Sequence, residues 1–61
     1  MPVITVNMLE GRSREQKSDL VEAITTAMVE ICKAKPEGIA VVIQEVPREN
    51  WGQGGILVSE R

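Results

Sequence analysis

Apolar and polar positions alternate at the start of the chain. Ile4, Val6 and Met8 fall on one side of an extended segment and Val3, Thr5 and Asn7 on the other, which predicts a strand over Val3 to Met8. The period then lengthens. Leu20, Val21, Ile24, Ala27, Met28 and Ile31 recur at helical spacing with Lys17, Asp19, Glu22, Thr26 and Glu30 between them, so a helix is expected from about Arg14 to about Lys33. Its start carries a capping box, Ser13-Arg14-Glu15-Gln16, and Gly11 within Leu9-Glu10-Gly11-Arg12-Ser13 suits the turn out of the strand. Lys35-Pro36-Glu37-Gly38 closes the helix, because the residue before a proline is pushed out of the helical region. Ile39-Ala40-Val41-Val42-Ile43 is then an unbroken apolar run continuing into Gln44-Glu45-Val46, the pattern of a strand buried on both faces.

Strand, long helix and strand make a βαβ unit, whose right-handed crossover leaves the two strands parallel. One helix covers one face of such a sheet. The other face, also apolar, is left for a second surface. Beyond it Pro47-Arg48-Glu49-Asn50 breaks the pattern, and Trp51-Gly52-Gln53-Gly54-Gly55 permits tight turns without the Lys-Ser/Thr pair or following helix of a phosphate loop. Ile56-Leu57-Val58 is too short to pair alone and is expected to add a hairpin or edge strand to a neighbouring copy. The predicted fold is therefore α/β: one domain over residues 1–61, a single βαβ unit with a short C-terminal hairpin or edge strand, assembled into oligomers.

Composition strengthens the case for assembly. Among 61 residues, 43% are hydrophobic, yet there is no Phe, no Tyr and one Trp, so the core must come from Val, Ile, Leu, Met and Ala. Ordering a chain costs roughly 1.5 kcal/mol per residue, which so small a core barely offsets. A single cysteine and no histidine exclude an internal disulfide and a metal-ligand cluster, leaving association between copies as the stabilising device. Cys32, Met8 and Met28 read as packing residues or bystanders. A net charge of −2 and the lack of a basic run argue against nucleic acid or an anionic membrane as partner. A lone thiol with no export signal or membrane span leads to an expected cytoplasmic location.

Candidate chemistry lies at the first two residues. If Met1 is trimmed, as is usual before a small residue, the chain begins with the secondary amine of Pro2. That nitrogen is then a true base, since an α-amino group titrates near about 7.7–8.0, and burial or a nearby cation would disfavour its charged form further. Taken alone, Pro2 reads more readily as the first residue of a strand, where no hydrogen-bond donor is required. Arg12 taken alone reads as a solvated arginine beside a helix cap, and Trp51 as interface filler.

The ordered set changes those readings. Pro2 opening a strand, Leu9-Glu10-Gly11-Arg12-Ser13 followed by Glu15-Gln16-Lys17, a second strand closing in Glu45, and Trp51-Gly52-Gln53-Gly54-Gly55 together resemble the 4-oxalocrotonate tautomerase family, the small-subunit branch of the tautomerase superfamily. The resemblance implies a homohexamer, a trimer of dimers, whose sites borrow residues from adjacent protomers and need no metal or organic cofactor. It implies Pro2 as general base, Arg12 as the binder of a substrate carboxylate, the Leu9 backbone amide against the substrate's polar end, and Trp51 as an apolar wall where a phenylalanine is usual. The implied function is isomerisation of enolic or unsaturated 2-oxo acids. One departure stands out: the best-known members carry a second arginine near the start of the second strand, where this chain has Ala40. Either another cation, Arg48 or Arg61 of a neighbouring subunit, takes its place, or the substrate is not a diacid. Two alternatives follow. A hydratase or dehalogenase of the same superfamily would use a charged Pro2 and a carboxylate, Glu45 or Glu49, to activate water. A non-catalytic scaffold or partner subunit of a hetero-oligomer would use neither.

Overall fold

Strand β1 spans Val3–Leu9 and strand β2 spans Ala40–Val46; they pair in parallel, from Val3 against Ala40 to Leu9 against Val46, in a computed structural model that describes residues 1–61. The ladder extends one rung at each end. Ala40 N–H donates to the Pro2 carbonyl at 3.1 Å, and Glu10 N–H donates to the Val46 carbonyl at 3.1 Å. Leu9 thus belongs to the strand, one residue past the end that alternation suggests. Ile39 falls outside β2, because its N–H donates to Pro36 and closes the 3-10 turn over Pro36–Gly38.

Helix α1 covers Arg14–Cys32, and its capping box forms: Gln16 N–H donates to Ser13 Oγ at 3.1 Å while Ser13 N–H donates to Gln16 Oε1 at 2.9 Å. At the other end Lys33 adopts the left-handed conformation at φ 58°, so that its N–H meets Val29 and that of Ala34 meets Met28. The helix ends by this lysine cap before the Pro36 turn is reached.

Leu20, Val21, Ile24 and Met28 of α1 are half-buried, as are Ile4, Val6 and Met8 of β1 and Val41 and Ile43 of β2. Two expected core positions are not. Ala27 and Ile31 are exposed, Ile31 at 78%. Nineteen helical residues reach about 28 Å whereas seven strand residues reach about 23 Å, so the helix is longer than the sheet it covers and Ile31 lies in its last turn. The expectation that β2 is buried on both faces is also corrected for the single chain: Ala40, Val42 and Gln44 are exposed opposite Val3, Thr5 and Asn7.

The C-terminal segment pairs with itself. Gly52–Gln53 (β3) and Ile56–Leu57 (β4) form an antiparallel hairpin, so the short tail is paired within its own chain, as the hairpin alternative expected. Gly54 and Gly55, at φ 61° and 83°, make the two-residue turn that only positive-φ residues fit without strain. Val58 N–H then donates to the Trp51 carbonyl at 2.8 Å, and Val58 is the one residue of 61 that is buried. A Cα radius of gyration of 14.5 Å compares with about 10.5 Å for a compact chain of this length. The surface is 4662 Å² against roughly 3,900 Å² for a folded monomer of this mass. A chain this open has apolar faces that only another surface can cover.

Candidate active site

The parallel register sorts the candidate residues into two groups at opposite ends of the sheet. Pro2, half-buried, precedes β1 and lies beside Ala40 through the hydrogen bond to its carbonyl. Met1, which acylates the Pro2 nitrogen in the full chain, is 97% exposed. Leu9, seven residues on, is about 23 Å away at 3.3 Å per residue. Leu9 pairs with Val46, so the turn bearing Arg12 and the turn bearing Arg48 and Trp51 leave the sheet from adjacent strand ends. Arg12 is exposed, its Nη1 3.5 Å from the Leu9 carbonyl. Arg48 is exposed; Trp51 is half-buried, with its N–H donating to the Arg48 carbonyl at 3.4 Å. The structure thus gathers Leu9, Arg12, Arg48 and Trp51 at one end and leaves Pro2 at the other. No arginine side chain bridges such a distance within one protomer.

The sequence profile of the family described as tautomerase enzyme matches residues 2–61. This chain belongs to the tautomerase family. It is similar to the 2-hydroxymuconate tautomerase of Comamonas testosteroni, 45% identical over 60 residues that make up 98% of this chain and 95% of that one. Among solved structures, a 4-oxalocrotonate tautomerase homologue superposes with a TM-score of 0.95 at 36% identity, over 100% of this chain and 97% of the other. A heterohexamer 4-oxalocrotonate tautomerase from Chloroflexus aurantiacus gives a TM-score of 0.91 at 38% identity, over 98% and 97%. The βαβ unit with its C-terminal hairpin is the tautomerase fold.

This tautomerase-family chain contains one ion pair, which the apolar pattern alone does not announce. Lys17 Nζ lies 2.6 Å from Glu45 Oε1, tying the first turns of α1 to the end of β2. A signal for it exists in the spacing. Lys17 sits one turn before Leu20 and Val21 on the inward stripe, and Glu45 continues the inward alternation of Val41 and Ile43. The hydrogen bond from Lys17 holds the Glu45 carboxyl below its ordinary value of 4.5; desolvation opposes it, and the lysine charge and the Gly11 backbone add to it. A carboxylate so engaged is a poor candidate for activating water. Because the folded value is depressed, the pair contributes stability above pH 4.5 and loses it as pH falls through the lowered value. The thermal midpoints of wild type and Glu45→Gln should therefore differ at neutral pH and converge as pH falls below the lowered value; a gap that stays unchanged as the solution is acidified would contradict the assignment.

The one well-formed concavity of the protomer, an open groove of about 490 Å³, is lined by Glu22, Thr25, Thr26, Val29, Glu30 and Pro36. None of Pro2, Leu9, Arg12, Arg48 or Trp51 borders it. No helix is long and apolar enough to cross a membrane.

Proposed function

We propose that this chain, with Met1 removed, is a cofactor-independent keto–enol isomerase of enolic or unsaturated 2-oxo acids, acting in the cytoplasm as a homohexamer with Pro2 as general base. The observation that carries the reading is the separation of Pro2 from the Leu9, Arg12 and Trp51 end in a family member with uncovered apolar faces. Copies arranged so that one subunit's strand start meets another's strand end bring an amine, a guanidinium and an indole into one cleft.

Each group then has a physical task. Arg12 offers a planar fork for the substrate carboxylate, and the Leu9 backbone amide supports the polar end. Trp51 walls the cleft and, with the guanidinium, keeps the Pro2 amine uncharged. The neutral nitrogen takes a proton from the carbon α to the carbonyl, and the C–H electron pair moves into a new C=C bond while the carbonyl oxygen takes up negative charge. The proton returns at another carbon of the conjugated chain, so nothing is oxidised or reduced. No step requires a metal or organic cofactor.

A pH–rate profile separates this reaction from hydration. Isomerisation should rise with pH as the amine deprotonates, reaching a plateau at or below the ordinary α-amino range of about 7.7–8.0. Hydration through a charged Pro2 should fall over the same interval. Isomerase turnover that is greatest at acid pH would contradict Pro2 as base.

A further inference from the structure

We infer that Lys17 and Glu45 are positioning residues: their pairing fixes where the loop carrying Arg12 leaves the sheet, and so where the Arg12 guanidinium meets a substrate carboxylate. The inference rests on the reading of Arg12 as the carboxylate binder. Arg12 does little to hold itself in place. It is exposed, has no acidic group within 4.0 Å, and its one hydrogen bond is the long one of 3.5 Å from Nη1 to the Leu9 carbonyl. A long side chain without a firm partner keeps its rotamer freedom, so its reach is set by the backbone that carries it.

That backbone is anchored on both sides, to two different elements. On the strand side, Glu10 N–H donates to the carbonyl of Val46, the residue after Glu45, at 3.1 Å. On the helix side, Ser13 caps α1 through the reciprocal bonds with Gln16, and its carbonyl accepts from Lys17 N–H at 3.1 Å. Only Gly11 and Arg12 lie between. Gly11 sits at φ 129°, a conformation open to glycine and strained for other residues. The end of β2 and the start of α1 therefore carry the two ends of a very short bridge. A hydrogen-bonded ion pair ties those elements directly, with Lys17 Nζ 2.6 Å from Glu45 Oε1, and the Gly11 backbone acts on the same carboxylate. The contacts close a ring through Val46, Glu10, Ser13, Lys17 and Glu45, and Arg12 lies on it. Both side chains of the pair keep 30% exposure, and a pair so open to solvent adds little to stability. Its larger contribution is a fixed distance.

Double-mutant kinetics on the assembled, Met1-free protein, with phenylenolpyruvate as the probe substrate, separate positioning from stability. Glu45→Gln and Lys17→Met should each raise KM about 3- to 10-fold, part of what Arg12 itself supplies, with kcat changed by less than about twofold. Lys17→Arg can renew the pair and should stay within about twofold of wild type. In an Arg12→Ala background no guanidinium remains to be placed, and Glu45→Gln should raise KM no further. If Glu45→Gln does not assemble, Lys17→Met carries the same cycle. A rise in KM that persists undiminished beside Arg12→Ala, an unchanged KM in both single variants, or a loss that falls on kcat instead overturns the inference. A wild-type KM in Arg12→Ala is a distinct result: it removes Arg12 as the carboxylate binder and takes this inference with it.

Discussion

Pro2→Ala in protein shown by intact mass to lack Met1 should lower kcat/KM for an enolic 2-oxo acid by about 10²–10⁴-fold, the range a positioned general base contributes. The alanine still ends in a primary amine of similar basicity. What disappears is position: the proline ring fixes φ near −65° and aims the nitrogen, while an acyclic terminus rotates freely and forfeits the orientation that makes a base effective. The strand itself tolerates the change, because the Pro2 group that enters the ladder is its carbonyl, bonded to Ala40, and alanine keeps it. Melting temperature should thus move little while turnover collapses. Protein that retains Met1 should be more impaired still, since an amide nitrogen is not basic. Activity within about threefold of wild type in Pro2→Ala would remove the proline ring from the mechanism.

Most of the fold is legible in the sequence because the pattern is strong where tertiary packing agrees with it. Ile4, Val6 and Met8 against Val3, Thr5 and Asn7 divide as alternation requires, and Ser13 with Gln16 forms the cap their spacing announces. The departures on the helix and second strand share one cause: periodicity does not say how far the neighbouring surfaces extend. Ile31 fits the apolar stripe yet lies in the last turn of a helix longer than its sheet, and Val42 lies in a continuous apolar run yet is 42% exposed. The hairpin is harder to see, because glycines that look like flexible spacing are the two positive-φ residues of a tight turn. Gly54 and Gly55 in that turn let Gly52–Gln53 serve as partner to Ile56–Leu57. The candidate site is legible as a set of residues through the family resemblance. Its division into two distant ends becomes visible only in the register, which puts Pro2 beside Ala40 and Leu9 beside Val46.

Arg12→Ala should act on substrate binding, raising KM for carboxylate substrates about 10- to 100-fold with a smaller change in kcat, as expected when a charge-assisted bond made equally in ground and transition states is lost. Arg12 has no partner of its own apart from the long contact to the Leu9 carbonyl, so its removal should not cost measurable stability. At substrate concentrations well below KM this variant and Pro2→Ala are both nearly silent, for different reasons. That difference makes the pair informative about where each site's parts come from.

Mixing the two variants in equal amounts, unfolding and reassembling them together, and assaying at low substrate measures directly whether a site is shared between chains. If Pro2 and Arg12 of each site come from different subunits, random assembly restores about a quarter of wild-type activity, the chance that both contributing chains are intact at their own position. If the mixture stays as silent as its two components, each site is built within one chain, and a cleft shared between subunits is ruled out.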